Sequence, residues 1–503
     1  MKTYLLHRDR DVDWDEAPPV NAEDLVADLG LAVLITAMAG SDKTIPPIAT
    51  KVVLRRLGDV DTILYRQAVL RDCLTHPSVV RTMYELAGEA IENESRNFWG
   101  MRSRHAASIL RRSTDVLRMF LGVLRKLRAI AEADGGAFES EGFARFFAML
   151  RSELDDAYLD EVYGRLRAVE FRGGMLTTAR LGRGNHGCDY VLRTFDQAQR
   201  GWFDRLFPPR EPGYTYHVDP RDESGARALS ELGDRGVNLV ADALAQSCDH
   251  ILAFFTALRS ELAFYVGCIN LHERLTVKGE PTCFPIPHEP NAGVHQFSGL
   301  YDACLALSMP QRVVGNDGDA RGKMMIIITG ANQGGKSTFL RSLGIAQMMM
   351  ECGMFVAADA FRASLCNGVF THYKREEDTE MQSGKFDEEL RRMSLLAECL
   401  SPGAFVLFNE SFAATNDREG SEIACQITEA LVDSGVRLAF VTHLYEFAHR
   451  IWEERRPQAF FLRANRREDG QQTFKLHEEE PLRTSYGEDI YQRVFEGEAA
   501  RST

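Results

Sequence analysis

The sequence predicts a two-part fold: a long, mostly α-helical first part, followed by an α/β domain with a mainly parallel sheet. Three observations carry this. Residues 22–130 are rich in Leu, Val and Ala with charges interspersed and few Gly or Pro, the texture of packed helices. From Met324 onward, short apolar runs alternate with helix-compatible segments. At the first alternation the chain reads MMIIITGANQGGKSTFL, where an apolar run meets a Gly-rich turn and a helix start at Lys336.

Taken in order, residues 1–20 read as a flexible or loosely attached lead closed by Pro18-Pro19. Ala22–Met38 and Tyr65–Ala87 have helical texture, with a break at Ser41-Asp42 and an interruption at Thr75-His76-Pro77, because proline cannot continue a helix without a kink. Met101–Ile130 carries eight basic residues and one acid, Asp115. Arg104, Arg111, Arg118 and Arg125 recur every seven residues and so line one stripe, while Leu110, Leu117 and Leu124 supply an apolar side. Two readings stay open for the stripe: a solvated face of a bundle helix, or a track for a phosphate backbone or acidic partner. Gly135-Gly136 marks a turn, and a further helix runs to about Val169. Glycines, β-branched and aromatic residues then cluster between Phe171 and His217, which predicts a small β-containing insertion. It carries Arg180 and Arg183 as further candidate nucleic-acid contacts, although a charged loop explains them equally. Ala226 to about Leu271 returns to long helix.

The second part is predicted as strand Met324–Thr329, helix Lys336–Glu351, strand Ala404–Phe408, helix Glu419–Asp433 and strand Leu438–Thr442. Gly330, Gly335, Lys336 and Ser337 satisfy the G-x-x-x-x-G-K-[ST] spacing, so the α/β part is a P-loop NTPase domain. The backbone of Gly330, Ala331, Asn332, Gln333, Gly334, Gly335, Lys336, Ser337 and Thr338 is placed to wrap phosphate oxygens. Lys336 reaches the β/γ-phosphates and the Ser337 hydroxyl ligates Mg²⁺. Ala404–Glu410 reads AFVLFNE, an apolar strand ending where such sites place a metal-holding Asp and a water-activating Glu. Asn409 stands in the Asp position and brings no negative charge; Glu410 keeps the general-base position. LAFVTH ends a further strand with His443, a candidate sensor of the γ-phosphate or the attacking water.

A net charge of −14 argues against coating nucleic acid non-specifically but leaves room for a local basic track. The ten cysteines show no zinc or disulfide spacing. No apolar stretch approaches the roughly 20 residues of a membrane span, and the charged N-terminus is unlike a signal peptide, so a cytoplasmic location is expected.

These residues resemble the ATPase domain of the MutS family of DNA mismatch-repair proteins. The resemblance rests on VVGND at Val313–Asp317, TGANQGGKST at Thr329–Thr338, CGMFVAADAF at Cys352–Phe361, NESFAATNDREGSEIA at Asn409–Ala424, and Ser485-Tyr486-Gly487. Leu54–Leu70 is similar to the start of the family's helical core. The resemblance implies an ABC-type ATPase using ATP and Mg²⁺, with a helical core over 1–130, lever helices with a clamp-like insertion over 131–300, and the ATPase domain with a C-terminal dimerisation segment over 301–503. It implies a homodimer with composite ATP sites that clamps DNA in repair or recombination, with a repair protein as a further partner. The signature loop offered to the partner subunit's nucleotide, Ser-Thr-Phe in the family, reads here as Gly384-Lys385-Phe386 with Ser383 one place early, and Ser383, Gly384 and Lys385 are its candidate contacts across the dimer. The chain is expected to start in the core, without the mismatch-reading and connector domains. A slowly hydrolysing, ATP-gated scaffold holding a protein partner is the alternative, and a small-molecule kinase fits less well because no acceptor-binding lid is evident.

Overall fold

The computed structural model describes residues 1–98, 106–171, 176–185, 187–193, 217–219, 221–331, 333–375, 384–466 and 472–482. The chain forms two compact units. One comprises residues 1–3, 78–139 and 143–262; the other comprises residues 4–77, 140–142 and 263–503. This division follows contacts rather than the tripartite order expected from the sequence.

Four helices open the chain: α1 (Ala22–Asp28), α2 (Leu31–Ala39), α3 (Ile45–Leu54) and α4 (Val60–Thr75). The expected helix Ala22–Met38 is two helices, because Gly30 adopts φ 65° between them, a conformation that costs glycine little. The lead is not loosely attached. Leu5 and Leu6 are fully buried. Tyr65 Oη donates to Tyr4 O (2.6 Å), Tyr265 Oη to Leu5 O (2.6 Å), and the Arg66 guanidinium to Leu6 O. A three-residue apolar run has no readable period, and its partners lie at least 60 residues away in sequence.

The first unit is helical. It contains α5 (Pro77–Phe98), α6 (Ala106–Ala133), α7 (Glu141–Glu153), α8 (Asp156–Ala168) and a hairpin of β1 (Leu176–Leu181) with β2 (Gly187–Arg193). The apolar side predicted for α6 is its packed side: Leu110, Leu117, Phe120, Val123, Leu124 and Leu127 are all buried. Helix α9 (Glu223–Val277) begins in this unit, and its last turns belong to the other. Part of α9, within Glu231–Val277, is long and apolar enough to cross a membrane, contrary to the sequence expectation. Its apolar window is 61% buried within the protein, as a core helix of a folded domain is.

The second unit holds a six-stranded sheet in the order β12-β11-β6-β10-β9-β8, together with a four-stranded sheet, β3-β7-β4-β5. The small sheet consists of β3 (Ile286–His288), β4 (His295–Leu300), β5 (Asn316–Asp319) and β7 (Ala360–Ser364). The large one consists of β6 (Met325–Gly330), β8 (Val369–Tyr373), β9 (Phe405–Asn409), β10 (Arg437–Val441), β11 (Ala459–Arg466) and β12 (Gln472–Glu478), all parallel except the final β11–β12 pair. Helices α10 (Ala303–Ser308), α11 (Lys336–Glu351), α12 (Lys385–Cys399), α13 (Asp417–Asp433) and α14 (Tyr445–Arg455) complete it. The predicted elements from 324 to 442 lie within two residues of these bounds. Continuous apolar runs mark strands buried on both faces, and α11 is buried nearly all round. Phe408 and Phe440, stacked at 4.9 Å, lock β9 against β10 in the core.

Candidate nucleotide site

The site is built at the C-terminal ends of parallel strands, where such sheets leave a crevice. Strand β6 delivers the phosphate loop, and three of its residues take positive φ: Gly330 (109°), Gln333 (60°) and Gly335 (87°). Gly330 also lies so close to β11 that a Cβ there would sit 2.5 Å from Ala464 O. Lys336, buried at the first position of α11, donates from Nζ to Gly330 O (2.9 Å) and Ala331 O (3.0 Å). Burial lowers its pKa, and the Glu410 carboxylate opposes that shift.

Strand β10 lies between β6 and β9, with Phe440 beside Ile327 on one side and Phe408 on the other. This order aligns the ends of three strands. Ser337 Oγ donates to Asn409 Oδ1 at 2.8 Å. Glu410 follows directly, with φ 55° and its N–H donating to Val441 O (2.9 Å). His443, exposed just beyond β10, joins it. Gln333, Gly334, Gly335, Lys336, Ser337, Thr338, Glu410 and His443 line one cavity of about 710 Å³. Chain segments predicted separately thus meet at one place. Gly330 and Ala331 contribute through the carbonyls that hold Lys336, and Asn332 lies outside the described residues.

Two families match the chain: MutS2 N-terminal domain over residues 58–278 and MutS domain V over residues 326–495. The chain belongs to the MutS family. Relatives include Endonuclease MutS2 of Lacticaseibacillus paracasei, 30% identical over 251 residues, covering 46% of this chain and 30% of that protein. DNA mismatch repair protein MutS of Chloroflexus aurantiacus is 26% identical over 260 residues, covering 50% and 26% respectively. MutS protein homolog 4 of Homo sapiens is 27% identical over 151 residues, covering 30% and 16%. The matches span less than a third of the length of these relatives.

In this MutS-family chain the cavity has a second wall that the sequence reading missed. Tyr301, Leu305, Met309, Val313, Val314 and Phe474 give it an apolar side, with Phe474 packed beside Gly335 of the phosphate loop. Asp302 caps α10 by accepting from Leu305 N (3.0 Å) and is paired with Arg341 of α11, which ties this wall to the P-loop helix. Asn316, in the VVGND segment, accepts from Leu476 N (2.8 Å) and donates to Phe474 O (3.3 Å), holding β12 at the cavity. An aspartate in capping position before α10 was the available signal; Phe474, on an unremarkable strand, offered none. Around Ser337 the donors are two neutral oxygens 2.8 Å apart. That set suits Mg²⁺, which keeps most of its water and substrate oxygens and needs few protein ligands.

Gly384 and Lys385 open α12, are exposed, and are not among the lining residues of this cavity. Ser383 and Ser485-Tyr486-Gly487 lie outside the described residues, as does Arg104. Two residues of the α6 stripe, Arg118 and Arg125, are engaged with acids of their own unit, as is Arg128 of the same helix. Arg118 pairs with Glu170, Arg125 with Asp160 (2.9 Å), and Arg128 with Asp156 (2.8 Å) and Glu132 (2.9 Å). Arg111 on α6, and Arg180 and Arg183 on the hairpin, are exposed.

Proposed function

We propose that this chain is a MutS-type, ATP-hydrolysing DNA-binding protein that works as a homodimer and closes on DNA when it binds ATP, in repair or recombination and without reading mismatches. The observation that carries the reading is the meeting of phosphate loop, Glu410 and His443 around one cavity, with Asn409 accepting from Ser337, which lines it. The loop amides and Lys336 bind the triphosphate, and the apolar wall takes the base. Ser337 and Asn409 are the residues that would hold Mg²⁺, which would supply positive charge against the phosphates when bound. Glu410 accepts a proton from the attacking water, and His443 orients that water or the γ-phosphate. Gly384 and Lys385, turned to no part of this cavity, serve the partner subunit's nucleotide. The names of the relatives support DNA as the macromolecular ligand. The exposed arginines of the hairpin and Arg111 are its contacts in this reading.

The test is a binding panel of duplex, branched and single-stranded DNA with and without ATP and Mg²⁺, beside steady-state hydrolysis by wild type and Glu410→Ala. Salt-sensitive binding that changes with ATP, together with turnover that Glu410→Ala abolishes, is the expected result. Absence of salt-sensitive DNA binding refutes the DNA role. Asn409 supports a second reading, an ATP-gated scaffold for a protein partner, in which nucleotide closes the dimer with little turnover. Wild-type hydrolysis at background level with intact ATP binding favours that reading.

A further inference from the structure

The segment that carries Glu410 is built in an unfavourable shape. Glu410 and Phe412 both have left-handed backbones, φ 55° and 65°, with Ser411 fully buried between them and no glycine in the turn. L-residues rarely adopt this region unless the surroundings over-determine it. Here they do. Glu389 of α12, itself buried, accepts the Phe412 N–H through Oε1 at 2.7 Å. Ser411 Oγ lies 2.6 Å from His372 O and 2.8 Å from His372 Nδ1, so either ring tautomer anchors the hydroxyl to β8. The Phe412 ring stacks on the His372 ring at 5.5 Å and 21°. Gly420 of α13 leaves the space that Phe412 O occupies, since a Cβ there would come within 2.3 Å of that oxygen.

Glu389 and His372 line no part of the nucleotide cavity. Burying a carboxylate is costly unless its bonds are needed, and this one bonds the backbone two residues past the proposed base. We propose that Glu389 is a positioning residue for ATP hydrolysis: with the His372–Ser411 pair it fixes the Glu410–Phe412 turn and so aims the Glu410 carboxylate at the attacking water. The inference rests on the reading of Glu410 as general base. An amide oxygen can accept the same bond from Phe412, so the role needs an acceptor of this length and not its charge.

The experiment compares wild type, Glu389→Ala, Glu389→Gln and Glu410→Gln by steady-state ATP hydrolysis and by equilibrium binding of a fluorescent ATP analogue. Glu389→Ala is expected to lower kcat about 10- to 100-fold, as misaimed groups do, with nucleotide affinity held within about twofold. Glu389→Gln is expected to recover kcat to within about threefold of wild type, because its amide oxygen replaces the acceptor. Unchanged kcat in Glu389→Ala, equal loss of binding and turnover, or a Gln variant as impaired as Ala overturns the positioning role. Turnover retained by Glu410→Gln, or absent from wild type, overturns the reading beneath it instead. If Glu389→Ala does not fold, Ser411→Ala removes one oxygen from the same turn. It is expected to lower kcat about tenfold with unchanged affinity, and unchanged kcat again counts against the role.

Discussion

Asn409→Asp restores a carboxylate where the geometry is in place and the charge is missing. Asparagine and aspartate are near-isosteric, and Ser337 Oγ already donates to Asn409 Oδ1 at 2.8 Å, so the change adds charge without altering shape. At an effective dielectric near 20, unit charges about 4 Å apart attract by about 4 kcal/mol, and a divalent ion doubles this to about 8 kcal/mol. Most of that is offset. The carboxylate and the ion both lose hydration, and Glu410 is the next residue. Carboxylates about 7 Å apart repel by about 2 kcal/mol on the same scale. A remaining gain of about 1.5–3 kcal/mol corresponds to a half-saturating Mg²⁺ concentration about 10- to 100-fold lower. The assay is ATP hydrolysis across a Mg²⁺ titration at fixed ATP, paired with thermal melting of the ATP-bound protein over the same titration. Melting reads the ion even if turnover stays slow. A Mg²⁺ midpoint within twofold of wild type in both measurements refutes the placement of Asn409 beside the metal.

Three further outcomes are expected. Gly420→Ala puts a Cβ 2.3 Å from Phe412 O and should destabilise the protein by about 1–3 kcal/mol; an unchanged Tm contradicts the close approach. Burial holds the His372 pKa down to about 4 from its ordinary 6.5. Its unfolded form therefore takes up a proton first, and stability is lost as pH falls from about 6.5 toward 4. The loss should reach about 3 kcal/mol, seen in denaturant melts as a pH slope that His372→Gln flattens, whereas an equal slope in that variant places the acid-sensitive group elsewhere. On the DNA side, Arg183→Ala should lower the salt slope of binding by about one. Arg125→Ala, whose guanidinium pairs with Asp160 and lies 4.4 Å from the Tyr163 ring centre, should leave that slope unchanged, and the reverse pattern would show that the α6 stripe faces DNA.

What could be read in advance and what could not divide along a physical line. Strands β6, β9 and β10 were legible because parallel strands buried on both faces are uninterrupted apolar runs. The phosphate loop was legible because two of its positive φ values fall on glycines at fixed spacing, Gly330 and Gly335. Both signals are local. The α6 stripe illustrates the opposite case: its seven-residue period correctly places Arg118 and Arg125 on one face, yet Glu170 and Asp160, which occupy them, stand on or beside a different helix. Periodicity reports which residues share a face and is silent on what meets that face. The Glu410–Phe412 turn is a sharper case, because there the local rule points the wrong way. Left-handed backbone is expected of Gly, Asn or Asp, and the chain reads Glu-Ser-Phe. Contacts from β8, α12 and α13, between 8 and 40 residues away, help to hold it, along with the Glu410 N–H bond to Val441 of β10. A glycine in the turn would relieve the strain and also free the carboxylate to swing. Local preference is overruled where a side chain has to be aimed, and this locally unfavourable turn includes the residue proposed to move the proton.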